Sequence, residues 1–236
     1  IHHNWGPPIS NLYETGPAIG LDISTPISMQ AKWLKNHEPD YLLTYPSNLV
    51  ALAEYFMEQG EQLNQLRQVR TISEMVTQDV RNICSTAFGG ADITDIYSSR
   101  EAGYIALQCP EGNYHIQSEN VLIEILNEQD KPCQVGEVGR IIVTNLHNFA
   151  MPLLRYEIQD YAEPAAACSC GRGLPALRRI VGRRRNMLTL PDGDKQWPIT
   201  GVASYRDIAP IKQCQLVQKT LGRLELRYTA GRQLSK

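Results

Sequence analysis

The stretch from residue 41 to 97 constrains the fold most, because its hydrophobic period switches twice between strand and helix. Tyr41-Leu-Leu-Thr-Tyr45, Val69-Arg-Thr-Ile72 and residues 92–97 each read as a short buried strand. Between the first two, Pro46 suits the first turn of a helix, and residues 49–59 carry apolar side chains at helical spacing up to Gly60. Between the second and third, residues 77–88 repeat the helical spacing and stop at Gly89-Gly90. Strand–helix–strand–helix–strand predicts a parallel α/β layer. Upstream, residues 28–37 read as a further helix, and residues 1–27, rich in Gly, Pro, His and Asn, as loop with short extended pieces.

After Gly103 the texture becomes mainly β. Residues 104–108, 121–126, 140–145, 153–163 and 176–181 read as strands, with turns at Asn127-Glu-Gln-Asp130 and Val135-Gly-Glu-Val-Gly139. A basic run, Arg183-Arg184-Arg185, then precedes the turn Pro191-Asp-Gly193. A short helix near 200–208 and a hairpin of strands 212–218 and 222–229 are expected beyond it. The fold class is α/β.

With 236 residues, 42% of them apolar, the chain can bury a real core. Its net charge of −2 argues against a nucleic-acid or anionic-membrane partner. No apolar run approaches the ~20 residues that span a bilayer, and with no basic stretch followed by an apolar one, no signal peptide is expected. The six cysteines are not spaced as a disulfide framework, so reduced thiols and a cytoplasmic location are expected.

Four of the metal-ligating side chains form two half-sites. Cys109-Pro-Glu-Gly-Asn-Tyr-His115 offers a thiol and an imidazole, and Cys168-Ser-Cys170 offers two thiols. Cys109, His115, Cys168 and Cys170 together supply four soft or borderline ligands, the number a tetrahedral structural zinc requires. Both half-sites are expected in Gly-rich loops. Cys-x-Cys neighbours are poorly placed to bridge one another, since a disulfide needs a specific Cα separation and torsion.

Five segments, in order, carry a resemblance. They are Tyr45-Pro-Ser47; Asp95-Ile-Tyr-Ser-Ser-Arg-Glu-Ala-Gly103; Val138-Gly-Arg-Ile-Ile-Val-Thr-Asn-Leu146; Pro152-Leu-Leu-Arg-Tyr-Glu-Ile-Gln-Asp160; and Gly182-Arg-Arg-Arg-Asn186. From about residue 41 to 193 the chain resembles the adenylate-forming ligases, and within them the phenylacetate–CoA ligase-like branch, of which Cys168-Ser-Cys-Gly-Arg172 is also typical. The resemblance implies carboxylic-acid activation with ATP through an acyl-adenylate, followed by transfer to coenzyme A, with an aryl or arylacetic acid as substrate. It implies part of a large domain over 1–103, a β-rich subdomain with the zinc site over 104–181, a hinge at 182–186 and the start of a small α+β domain over 187–236. It matches Tyr97 to the aromatic that packs on adenine, Glu101 to the carboxylate that helps hold magnesium, Asp160 to the acid that takes the ribose hydroxyls and Arg183 to the hinge arginine near ATP or AMP. Arg155 and Tyr156 are expected to shape their strand.

The departures from the pattern lie at Ser98, Arg100, Gln159 and Arg185. Gly is usual at the first and third, a small hydroxyl residue at the second, and Asp or Lys at the fourth. No Ser/Thr/Gly-rich phosphate loop and no late catalytic lysine segment is found, and Lys219 and Lys236 lie in no matching motif. A fragment lacking both ends, inactive by itself, is therefore expected. The alternative is a degenerate, non-catalytic relative that keeps the zinc-braced scaffold as a binding module. The reading leaves room for a homodimer.

Overall fold

A computed structural model describes residues 2–6, 9–198, 209 and 211–231. The helix expected near 200–208 lies outside the described residues. The elements are α1 (Ile9–Leu12), α2 (Ile27–His37), β1 (Tyr41–Thr44), α3 (Pro46–Gln59), β2 (Gln68–Ile72), α4 (Gln78–Ala87), β3 (Asp92–Ser99), β4 (Gly103–Gln108), β5 (Tyr114–Ile116), β6 (Val121–Leu126), β7 (Gly139–Asn145), β8 (Tyr156–Pro164), β9 (Ala176–Arg183), β10 (Leu188–Thr189), β11 (Lys195–Gln196), β12 (Ile211–Thr220) and β13 (Arg223–Ala230). A single 3-10 turn, Arg184–Asn186, follows β9.

Strands β1 to β9 form one mixed nine-stranded sheet in the order β1-β2-β3-β4-β5-β9-β8-β7-β6. Pairing is parallel from β1 to β3 and antiparallel from β3 onward. The expected α/β layer and the β-rich half are thus two ends of a continuous sheet. The β12–β13 hairpin forms a small separate sheet near the C-terminus.

The first end follows from helix chemistry. Pro46 opens α3 where its missing N–H has no intrahelical role, and Leu49, Leu52, Ala53 and Phe56 line its buried face. Gly60 closes α3 in the left-handed region at φ 67°, with its N–H on Met57 O and the Glu61 N–H on Phe56 O. In α4, Thr77 Oγ1 accepts from the Val80 N–H. Helices α2, α3 and α4 bury a first core around Leu34, Phe56, Val69 and Phe88.

The β-rich end curls. β3 and β8 are separated by three strands, β4, β5 and β9. A flat sheet would hold them about 19 Å apart at ~4.8 Å per strand, yet a Tyr97–Asp160 hydrogen bond spans them at 2.8 Å. The curl closes over a second core of Ile105, Ile116, Val121, Ile141, Val143 and Leu177. A β-bulge shapes β8: Arg140 pairs with Tyr161 but Ile142 pairs with Glu157, and Gln159 in that interval adopts φ 67°. The position where the resembling motif favours Gly is therefore a left-handed one, which a non-Gly residue occupies at some cost.

Candidate functional site

At the curled end, the side chain of Asp160 is buried between two partners. Tyr97 Oη donates to its Oδ2 at 2.8 Å, and Arg183 Nε lies 3.4 Å from its Oδ1. Arg183 is the register partner of Asp160 across β8 and β9; its side chain is 53% exposed, that of Asp160 only 10%. Burial, then the Asp160 carboxylate, push the Tyr97 phenol far above its ordinary value, so it stays a donor. Glu101 is exposed in the β3–β4 turn, with no hydrogen bond or ion pair among the described residues. It is still close enough to act on the Tyr97 phenol. The four residues Tyr97, Glu101, Asp160 and Arg183 thus gather at one end of the sheet. Arg155 stands apart: its guanidinium takes both oxygens of Glu124 at 3.1 and 3.3 Å, and its N–H donates to Thr144 Oγ1 at 3.0 Å. It ties the start of β8 to β6 and β7.

The second cluster lies at the other end of β9. The ligand atoms of Cys109, His115, Cys168 and Cys170 all lie within 4.8 Å of one another. Cys109 Sγ and Cys168 Sγ are 3.8 Å apart, and Cys170 Sγ is 3.1 Å from His115 Nε2. A tetrahedron with bonds of about 2.3 Å has sulfur–sulfur edges of about 3.8 Å, so the residues fit a zinc ion; a disulfide would need about 2.05 Å. His115 Nδ1 lies 3.2 Å from Leu174 O, a pure acceptor, which leaves the Nε2 lone pair to face the cluster. The Asn113 amide donates to Cys168 Sγ at 3.3 Å. That bond, with the Cys170 backbone N–H, pulls the Cys168 thiol down to about 6, while burial pushes Cys109 up. His115 is not in a loop as expected. It lies on β5 and is buried with Tyr114 and Ile116, because β4 and β9 flank that strand on both sides.

A third group, not predicted from the sequence, lies between these two along β3. Asp95 on β3 is buried and accepts from Thr71 Oγ1 and Tyr114 Oη, each at 2.8 Å. Its N–H donates to Gln108 Oε1 at 3.1 Å, and Gln108 Nε2 donates to Gly112 O at 3.0 Å. Arg81 donates to the same Gln108 oxygen at 2.7 Å and to Ile93 O. The signals were single polar residues inside strands, which on their own read as neutral.

The segment 182–186, expected from the sequence to be a hinge, is clasped. Trp197 Nε1 donates to Arg183 O at 3.2 Å, its ring meets Tyr161 edge to face at 5.0 Å, and it lies against Gly182.

This sheet is the fold of the adenylate-forming ligases. A 2-hydroxyisobutyryl-CoA ligase in the postadenylation state, in complex with R3-HIB-AMP, superposes with a TM-score of 0.73 at 19% identity, covering 89% of this chain and 47% of that one. The anthranilate CoA ligase AuaEII in complex with anthranoyl-AMP gives 0.68 at 16% identity, covering 94% and 45%. In sequence the chain is homologous to the phenylacetate-coenzyme A ligase of Thermus thermophilus, with 28% identity over 192 residues, 76% of this chain and 43% of the relative. The chain therefore spans less than half the length of these relatives. No protein-family profile matches it.

Proposed function

We propose that this chain is the nucleotide-binding part of an acid–thiol ligase. In the reaction a carboxylate oxygen attacks the α-phosphorus of ATP and pyrophosphate leaves. The thiol of coenzyme A then attacks the acyl carbon, AMP leaves, and the thiol proton passes to solvent. The single observation that carries this reading is the meeting of Tyr97, Asp160 and Arg183, from three motifs far apart in sequence, at one end of a sheet with this fold.

In this reading Asp160 holds the ribose. Tyr97 fixes Oδ2, and the looser Oδ1 side accepts from a ribose hydroxyl. The Tyr97 ring borders the adenine position. Arg183 places positive charge beside the nucleotide and offsets repulsion between the two anionic substrates. Glu101, an unpaired exposed carboxylate, is the group that would hold magnesium, which needs few protein oxygens when phosphates and water complete its shell. Bound there, magnesium would supply charge neutralisation at the phosphates. Cys109, His115, Cys168 and Cys170 would hold a structural zinc, since four protein ligands leave no open position. Residues 182–186 serve as the hinge to residues 187–236, and the acid is aryl or arylacetic.

The non-catalytic alternative is favoured by no observation, and the relatives named above are ligases. Among the described residues no helix is long and apolar enough to cross a membrane; a cytoplasmic enzyme is the reading we adopt. The test is binding of a non-hydrolysable phenylacetyl-adenylate analogue by equilibrium dialysis, beside AMP. The analogue should bind more tightly than AMP, because it adds acyl contacts. Equal or weaker binding would contradict the acyl-adenylate reading. The chain alone should show no carboxylate-dependent exchange of pyrophosphate into ATP, because groups that act together are lost together.

A further inference from the structure

Hydrogen bonds run from the Cys/His loop to Asp95 on β3, and two residues further along that strand Tyr97 bonds Asp160, so Asp95 stands between the two sites. On one side, the loop between Cys109 and His115 is fastened to β3 at two points. Tyr114, next to His115, donates to Asp95 Oδ2 at 2.8 Å. Gln108, next to Cys109, accepts from the Asp95 N–H at 3.1 Å and donates to Gly112 O within the loop at 3.0 Å. On the other side, Asp95 is two residues from Tyr97, which donates to Asp160. Thr71 on β2 holds the remaining Asp95 oxygen at 2.8 Å, so the carboxylate has no freedom to turn.

We infer that Asp95 is a positioning residue that links the two sites, so that order in the loop 109–115 is passed to Tyr97 and through it to Asp160. The inference rests on the metal and nucleotide reading given above.

Buried polar networks of this kind act as units. A bond inside them is stronger than in water, and a donor or acceptor left without its partner is costly. A carboxylate that accepts from β2 and β5, on a residue whose N–H donates to Gln108 on β4, therefore fixes the height of β3 against those strands. Cys109 and His115 are buried, but Cys168 and Cys170 are partly exposed on the loop before β9, so the cluster closes through its ligand atoms. Its order therefore depends on what its ligand atoms bind. Removing a metal ion there frees residues 109–115 first. Tyr114 and Gln108 then no longer hold Asp95, and the Tyr97 hydroxyl loses its fixed place opposite Asp160. The aspartate serves as the junction because it accepts from Tyr114 at one end of the loop and donates its N–H to Gln108 at the other.

The test is amide hydrogen exchange of the 236-residue chain, reconstituted with one equivalent of zinc and then treated with a chelator. Exchange is followed over residues 96–99, with β6 as the reference segment. Chelation should raise the rate over 96–99 by about tenfold, the scale expected when one or two buried bonds open, and leave β6 unchanged. In Tyr114→Phe the metal should stay bound, but residues 96–99 should already exchange at the chelated rate and respond no further. In Asp95→Asn, which keeps a hydrogen-bonding group at the same place, the response should persist. Retained zinc with no change over 96–99 on chelation overturns the link alone, as does a Tyr114→Phe chain that responds like the parent. A chain that takes up no zinc overturns the metal reading and the link together. A chain that shows the exchange response but does not bind AMP overturns the nucleotide reading and supports the link.

Discussion

Tyr97 on β3 donates its phenolic proton to Asp160 on β8 at 2.8 Å, across a sheet in which three strands lie between them. The bond exists because the sheet curls, and it places two residues 63 positions apart at one site. Each was singled out from a separate motif. In the proposed nucleotide site their contact would account for both residue types: an acid to accept from a diol, and a buried phenol that stays protonated to aim it.

Zinc content is the first expectation. Metal analysis should find about one zinc per chain, as four closed ligands predict. The double variant Cys168→Ser, Cys170→Ser should lose it, and unaltered content would remove the assignment. In the metal-free chain, Cys168, with its thiol held down to about 6, should be alkylated first near neutral pH. Cys84, buried in the first core and pushed up to about 12, should be alkylated only on unfolding. Mass mapping of the first adduct checks the order.

The pH dependence of stability should carry a mark of Asp95. Burial raises its carboxyl above the ordinary 3.8, against the pull of the Thr71 and Tyr114 hydroxyls. The folded chain then binds that proton more tightly than the unfolded chain does. This contribution to stability is greatest below 3.8 and falls as pH rises through the raised folded value. In Asp95→Asn the Thr71 or Tyr114 hydroxyl can turn to accept from the amide. The urea midpoint of the variant relative to the parent should therefore increase as pH rises across that window. Parallel curves for the two proteins would contradict the assignment.

The hinge reading predicts where trypsin cuts. Arg183 to Arg185 offer three sites in a segment closed by the indole of Trp197, which bonds Arg183 O at 3.2 Å and meets Tyr161. Trp197→Ala should speed cleavage there by about five- to thirtyfold, since the loss of one bond and one ring contact is about 1–2 kcal/mol. It should leave a stable product ending near residue 184. First cuts elsewhere in both proteins would favour an ordinary rigid loop.

The parallel layer was legible because strand and helix periods alternate with Pro46, Gly60 and Gly89-Gly90 at the borders. The β8 strand was read three residues early, at 153, because Arg155 at φ 47° breaks the extended run that its apolar neighbours suggest. β5 was missed because Tyr114, His115 and Ile116 are all buried and show no alternation. The convergence of Cys109, His115, Cys168 and Cys170 was legible from ligand types and their number, but their Asn113 and Leu174 O partners were not. Asp95 was invisible as a junction, since its bonds reach residues 13 to 24 positions away and leave no local pattern. Gln159 looked like damage to a motif; in the structure it holds the left-handed position of a bulge, so the backbone keeps the shape that Gly would give.

The most direct test of the nucleotide site is calorimetric titration of AMP into the chain and into Asp160→Ala. Charge-assisted bonds to a ribose diol are worth about 1.5–3 kcal/mol, so the account predicts saturable binding at one site, weakened at least tenfold in the variant while its thermal unfolding remains cooperative. AMP binding of equal affinity in both proteins would contradict it.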